Sequence, residues 1–220
     1  MICLTIEREI LERLRQTILS YDTGEAVIAA QEVIKSNVNF HEALGVITKT
    51  LKELGEKFNR GEIYLPHLVM AADAAEGATK ALQVIMPKGE KLGCGKVVIG
   101  TIQGDIHDIG KNIVTAILRS AGFEVYDLGK DVPIKKFIEK AEELGADIIA
   151  SSALMTVSMP NQKLLEEELK HFGLKEKYKT IVGGGPITQD WADKIGANGF
   201  GRTALDAVKK AKKLLDIAEE

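Results

Sequence analysis

The sequence predicts a two-domain protein, an N-terminal four-helix bundle followed by a doubly wound α/β domain with a parallel sheet. Three observations predict it. Apolar residues recur at three- and four-residue intervals through residues 5–86, short Val/Ile-rich runs alternate with helical patterns from residue 96 onward, and a charged Pro/Gly stretch separates the two regimes. At 220 residues the chain exceeds the usual size of one domain, and each part is long enough to bury its own core.

The first region divides into helices over residues 6–19, 24–36, 39–59 and 65–85. They are broken by Tyr21-Asp22-Thr23-Gly24, by Asn37-Val38-Asn39, and by Arg60-Gly61 with Pro66 just beyond. Connections this short favour antiparallel neighbours. The run Pro87-Lys88-Gly89-Glu90-Lys91-Leu92-Gly93-Cys94-Gly95 has the composition of an exposed connection, which sets residues 1–88 as the helical domain, 89–95 as the linker and 96–220 as the α/β domain. Residues 96–102, 123–128, 147–151 and 180–182 read as strands. Val97-Val98-Ile99 and Ile148-Ile149-Ala150 are apolar throughout, as expected of strands covered on both faces of a parallel sheet. Crossovers between such strands are right-handed, and ligands bind beyond their carboxyl ends.

Composition narrows the function. Apolar residues make up 45% and charged residues 28%, which is the range of a folded globular protein. A net charge of -3 with interspersed signs gives no footprint for nucleic acid, and the lysines at 209, 210, 212 and 213 read as one solvated helix face. No run approaches the roughly 18 apolar residues of a membrane span, and acidic residues through residues 1–18 do not suit a signal peptide, so a cytoplasmic protein is expected. Cys3 and Cys94 have neither metal spacing nor a disulfide framework.

The densest polar chemistry follows the first strand, in Gly104-Asp105-Ile106-His107-Asp108-Ile109-Gly110-Lys111-Asn112. Asp108 reads as the N-cap of a helix that buries Ile113, Val114, Ile117 and Leu118. His107 has no packing reason to stand in a surface loop, and Asp105 two residues earlier supplies the carboxylate to which a ligating imidazole commonly passes its other N–H. His41, His67, His171 and Cys94 lie in helical or distant segments, so no zinc-type set forms, and one protein ligand implies a metal held by a macrocycle. The loop has neither P-loop nor dinucleotide spacing.

Asp105-x-His107-x-x-Gly110, Ser152-x-Leu154 after the third strand and Gly183-Gly184 after the fourth together resemble the three-part motif of cobalamin-binding domains. These domains occur in methionine synthase and in the corrinoid proteins of methanol, methylamine and methoxyarene methyltransferase systems. The resemblance implies a five-stranded Rossmann-like (flavodoxin-like) domain holding cobalamin, with the cofactor's own base displaced and His107 on cobalt. By the same resemblance Asp105 bonds the far nitrogen of His107 and Ser158 is the third member of the relay, within which Asp105 and Ser158 take up or return a proton as His107 binds and releases cobalt. Gly104, Ile106, Asp108 and Gly110 frame that loop, Ser152 and Thr156 face the nucleotide tail and corrin amides, and Leu154 of the motif also meets the cofactor. Gly183, Gly184 and Gly185 let backbone approach the tail, although the same residues also read as a plain turn before Pro186. Phe200 and Gly201, within Asn198-Gly199-Phe200-Gly201-Arg202, resemble the last strand end that closes the tail pocket.

The helical region resembles the family's cap domain, and Phe58-Asn59-Arg60-Gly61-Glu62-Ile63-Tyr64-Leu65-Pro66 resembles its turn, which implies that Phe58, Leu65 and Val69 meet the upper corrin face. Ordinary helix-pair core is the other reading of such side chains. The family further implies a carrier of methyl groups on cobalt, with a substrate-specific methyltransferase, a second methyltransferase with a pterin or thiol acceptor, and a reductive activase as partners. A cobalamin-dependent regulator is the alternative, but the first 90 residues contain no basic stripe for DNA. The small subunit of a radical mutase would leave the helical region unexplained.

Overall fold

The computed structural model describes residues 2–87 and 93–217, so residues 89–92 of the expected linker lie outside it. The chain forms two compact units, Met1–Lys91 with Ser120–Gly122, and Leu92–Arg119 with Phe123–Glu220.

The first unit comprises α1 (Ile2–Leu19), α2 (Thr23–Lys35), α3 (Phe40–Asn59) and α4 (Leu65–Leu82). Leu14 and Ile18 of α1, Val33 of α2, Ile47, Leu51 and Leu54 of α3, and Leu68 and Leu82 of α4 build its core. Where α2 meets α4 the buried residues are mainly alanines, Ala26, Ala29 and Ala30 against Ala71, Ala75 and Ala78, and small side chains let two helices approach closely. The helix ends follow local chemistry. Asp22 accepts from the Glu25 N–H at 2.9 Å and Asn39 from the His41 N–H at 2.8 Å. Pro66 occupies the first turn of α4, where its missing N–H is not needed. The fourth helix is shorter than its periodicity suggests, because residues Gln83–Ile85 tighten into a 3-10 turn.

The second unit alternates β1 (Lys96–Thr101), α5 (Ile109–Ser120), β2 (Glu124–Asp127), α6 (Ile134–Leu144), β3 (Ile148–Ser152), α7 (Met159–His171), β4 (Lys179–Gly183), α8 (Gln189–Ile195), β5 (Gly199–Gly201) and α9 (Ala204–Leu214). The five strands are parallel in the order β2-β1-β3-β4-β5. The strand order therefore reverses between β1 and β3, and their carboxyl-end loops flank the switch point where such sheets bind ligands. Val98, Ile149 and Val182 pack with Phe137 of α6 and Leu165 and Leu169 of α7 in one buried cluster. The expected strand residue Ile102 contributes a single bridge to Val132 and then the chain turns into the loop that carries His107.

Candidate functional site

Gly104 opens the loop at φ +82°, a conformation that side chains resist, and its N–H donates to Asp131 Oδ1 at 2.8 Å. That turn aims Asp105 inward, where it is fully buried. Its Oδ1 accepts the His107 N–H at 3.1 Å and faces the His107 Nδ1 at 2.8 Å. Its Oδ2 accepts the Leu154 N–H at 2.7 Å, the Met155 N–H at 3.0 Å and the Ser158 hydroxyl at 2.7 Å. A carboxylate only accepts, so Nδ1 of the imidazole carries a proton and Nε2 is the nitrogen left for a metal.

Burial alone would push the Asp105 carboxyl up. The hydrogen bonds from Ser158, from the His107 ring and backbone, and from Met155 outweigh it and hold the group far below the usual carboxylate range. As acceptor of the Nδ1 proton, Asp105 sets the ring's tautomer. Ser158, also buried, lies within reach of both Asp105 Oδ2 and the Met155 carbonyl at 2.8 Å, and its single proton serves one of them at a time.

The His107 side chain is 47% exposed, in contrast to the carboxylate behind it. Around it on the carboxyl-end loops stand Ile106, Ile109, Leu154 and Val157, all large apolar residues left exposed. An apolar patch of this kind, with one polar group directed out of it, marks a binding surface. Beside it opens a cavity of about 1010 Å³. Ile99 of β1, Ile181 of β4 and Phe200 of β5 contribute apolar wall, and Gly183, Gly184, Gly185 and Gly201 contribute wall without side chains. Among the described residues no group of three His, Cys, Asp or Glu is placed to hold a metal ion. One exposed imidazole nitrogen in an apolar rim next to a long glycine-walled cavity fits a large planar macrocycle that brings its own equatorial ligands and a tail.

The other expected residues fall into three groups. Ile106, Asp108, Gly110, Ser152 and Leu154 line the cavity with His107. Asp108 immediately precedes α5, and its carbonyl accepts the Asn112 N–H at 2.8 Å. Thr156 is exposed in the turn before α7 and is not among the lining residues. Phe58, Leu65 and Val69 belong to the helical unit, where each is half-buried.

Gly184 also has a reason inside the chain. At φ +123° a Cβ there would lie 1.8 Å from the Ala153 carbonyl oxygen, so β3 and β4 run on into loops that touch backbone to backbone. Sequence reasoning passed over Thr188, Arg202 and Thr203 as cavity residues. The capping pair Thr203 and Asp206 was visible as a spacing, and it places the N-terminus of α9 at the cavity wall. Lys111 was also passed over; it lines the cavity with its side chain 1% exposed and its ammonium on Asp127 and Asn112.

Residues 95–209 match a family model described as a B12 binding domain, and residues 10–83 match a second of the same description. The trimethylamine corrinoid protein of Methanosarcina barkeri is 45% identical over 214 residues, covering 96% of this chain and 99% of that protein. Dimethylamine corrinoid protein 1 of Methanosarcina acetivorans is 46% identical over 211 residues, covering 95% and 99%. Among solved structures, the methanol:cobalamin methyltransferase complex of Methanosarcina barkeri matches with a TM-score of 0.81 at 28% identity, covering 96% of this chain and 81% of that one. A buried carboxylate locking one exposed imidazole, the glycine-walled cavity beside it and likeness along nearly the whole length agree: the chain belongs to the corrinoid proteins with B12-binding domains, and its cofactor is a cobalamin.

Proposed function

We propose that this protein is a methyl carrier that holds its corrinoid with the cofactor's own base displaced and His107 on cobalt. The observation that carries the reading is the locked imidazole, Nδ1 against the buried Asp105 at 2.8 Å with the remainder of the ring open. When bound, the cofactor supplies the cobalt–carbon chemistry that accepts and gives up the methyl group. Asp105 fixes the ring with a proton on Nδ1 so that Nε2 is the nitrogen offered to the metal, Ser158 and the Leu154 and Met155 amides keep Asp105 ionised, and Ile106, Ile109, Leu154 and Val157 exclude water from the rim. The cavity would receive the displaced tail, with Gly183, Gly184 and Gly185 as its wall, and Arg202 and the N-terminus of α9 would supply donors and positive charge to a phosphate group.

Likeness to the trimethylamine and dimethylamine corrinoid proteins favours a methylamine as the methyl source, and a substrate-specific methyltransferase in the cytoplasm delivers the group. A second methyltransferase with a pterin or thiol acceptor removes the group, and a reductive activase returns oxidised cofactor to the cycle. The reading is tested by reconstituting the protein with cobalamin and recording the cob(II) electron paramagnetic resonance spectrum. Wild type should show splitting from one axial nitrogen, and His107→Ala should lose it while retaining the corrinoid. Wild type labelled with 15N-histidine should show the doublet of 15N, and a 14N triplet that persists in it would sink the assignment, since the axial nitrogen would then be the cofactor's own base.

A further inference from the structure

His107 is held at three points, and Asp105 accounts for two of them, the ring and the backbone N–H. Thr101, the last residue of β1, is fully buried and donates its hydroxyl to the His107 carbonyl oxygen at 3.0 Å. Thr101 is itself fixed by backbone bonds on both sides, its N–H donating to Gly129 at 2.9 Å and its carbonyl accepting from Val132 at 3.0 Å. The Gly129 N–H donates to Asp127 Oδ1 at 2.8 Å, and the other oxygen of Asp127 receives the Lys111 ammonium. Lys111 also donates to Asn112 Oδ1 at 2.6 Å. The contacts close a circuit. They leave the first turn of α5, cross the end of β2, and return through β1 to the backbone of His107.

None of these polar groups is needed for packing. Valine has nearly the shape of Thr101, and Ile99 and Ile102 on the same strand end are buried and apolar. A buried ion pair adds little net stability over an apolar pair of the same shape, and a cation in the first turn of a helix works against the helix dipole. The circuit does something packing does not require. Asp105 holds the ring and the N–H of His107 and Thr101 holds the carbonyl of the same residue, so the two partners together fix how far Nε2 stands out from the loop.

We propose that Thr101 is a positioning residue for His107, and that its hydroxyl, backed by the Lys111–Asp127 pair, sets the reach of Nε2 and so the strength of the axial bond. The inference rests on the reading of His107 as the cobalt ligand. It is tested on the full-length, cobalamin-loaded protein by comparing Thr101→Val with Thr101→Ser. The readouts are corrinoid content, melting temperature and the fraction of cob(II) showing nitrogen splitting. Thr101→Ser should match wild type, whereas Thr101→Val, at equal corrinoid content, should shift about fivefold toward the uncoordinated form, the effect of one lost hydrogen bond. Splitting in Thr101→Val equal to wild type overturns the proposal. Wild type without splitting overturns the ligand reading instead, so the two failures are distinct. Should Thr101→Val not fold, the half-exposed Asp127 decides: Asp127→Asn with native melting should shift the same balance about twofold, and an unchanged balance overturns the proposal.

Discussion

Two carboxylates are buried at opposite ends of the same sheet, and their ionisation goes opposite ways. Asp105, at the carboxyl end, accepts from three backbone amides, one imidazole and one hydroxyl, and is held well below the ordinary range. Glu166 of α7 belongs to a network at the amino end, where Lys175 meets it and also reaches Thr180 Oγ1 at 2.9 Å and Asn198 Oδ1 at 3.2 Å. Burial nevertheless pushes the Glu166 carboxyl up, against the pull of Lys175 and Thr180. At Glu166 the pull of one lysine and one hydroxyl falls short of the cost of burial, whereas at Asp105 five converging donors exceed it. The end that carries the ligand histidine is the end where two loops turn their amides toward one anion.

The largest effect separating the two ends should come from glycine. Gly184→Ala drives a Cβ into the Ala153 backbone and is expected to cost roughly 4 kcal/mol or prevent folding. Gly196→Ala, near the amino end, meets only the flexible end of Lys170 at 3.2 Å and a positive φ of +78°, and should cost about 1 kcal/mol. Urea unfolding of both variants measures the contrast, and equal losses would dissolve it.

Next in size is Asp105→Ala, which strands the Leu154 and Met155 amides, the Ser158 hydroxyl and the His107 ring without their acceptor. A loss of roughly 3 kcal/mol is expected, together with loss of axial nitrogen splitting in the loaded protein. Stability within experimental error of wild type would show that these donors find other partners.

The smallest effect is a pH dependence whose sign differs between the two groups. The Asp105 value is depressed in the folded state, so its contribution is fully present above its unfolded value of about 4 and is lost as pH falls below it. Glu166 is raised, so the folded state binds more protons than the unfolded one and loses stability as pH climbs from about 4 through the folded value. Glu166→Gln should therefore flatten the decline on the neutral side and leave the acid limb intact. Denaturation midpoints across pH measure both limbs, and a decline unchanged in Glu166→Gln would remove Glu166 as its source.

What could be read from the sequence was what is contiguous in it. Asp105, His107 and Gly110 fall within six residues, and Asp22 and Asn39 announce their helices by capping position, so the loop and the helix starts were legible. The alternation of patterns likewise carried the sheet's parallel character, confirmed down to its five strands. Gly199–Gly201 is too short to show a period of its own, and only the resemblance pointed to it. The partners of Asp105 on the other loop are amides, which every residue but proline carries, so nothing in the letters at 154 and 155 announces them. Thr101 and the Lys111–Asp127 pair were missed because their contacts depend on strand order, which brings the ends of β1 and β2 together.

Those two amides also determine how the site can drift. Leu154 and Met155 hold the anion through main-chain atoms, so any side chain other than proline at either position leaves the donors standing. The side chains at these two positions can therefore change in bulk and polarity while the tautomer of His107 stays fixed. The lip of the binding surface and the lock on its metal ligand thus share two residues without depending on the same atoms.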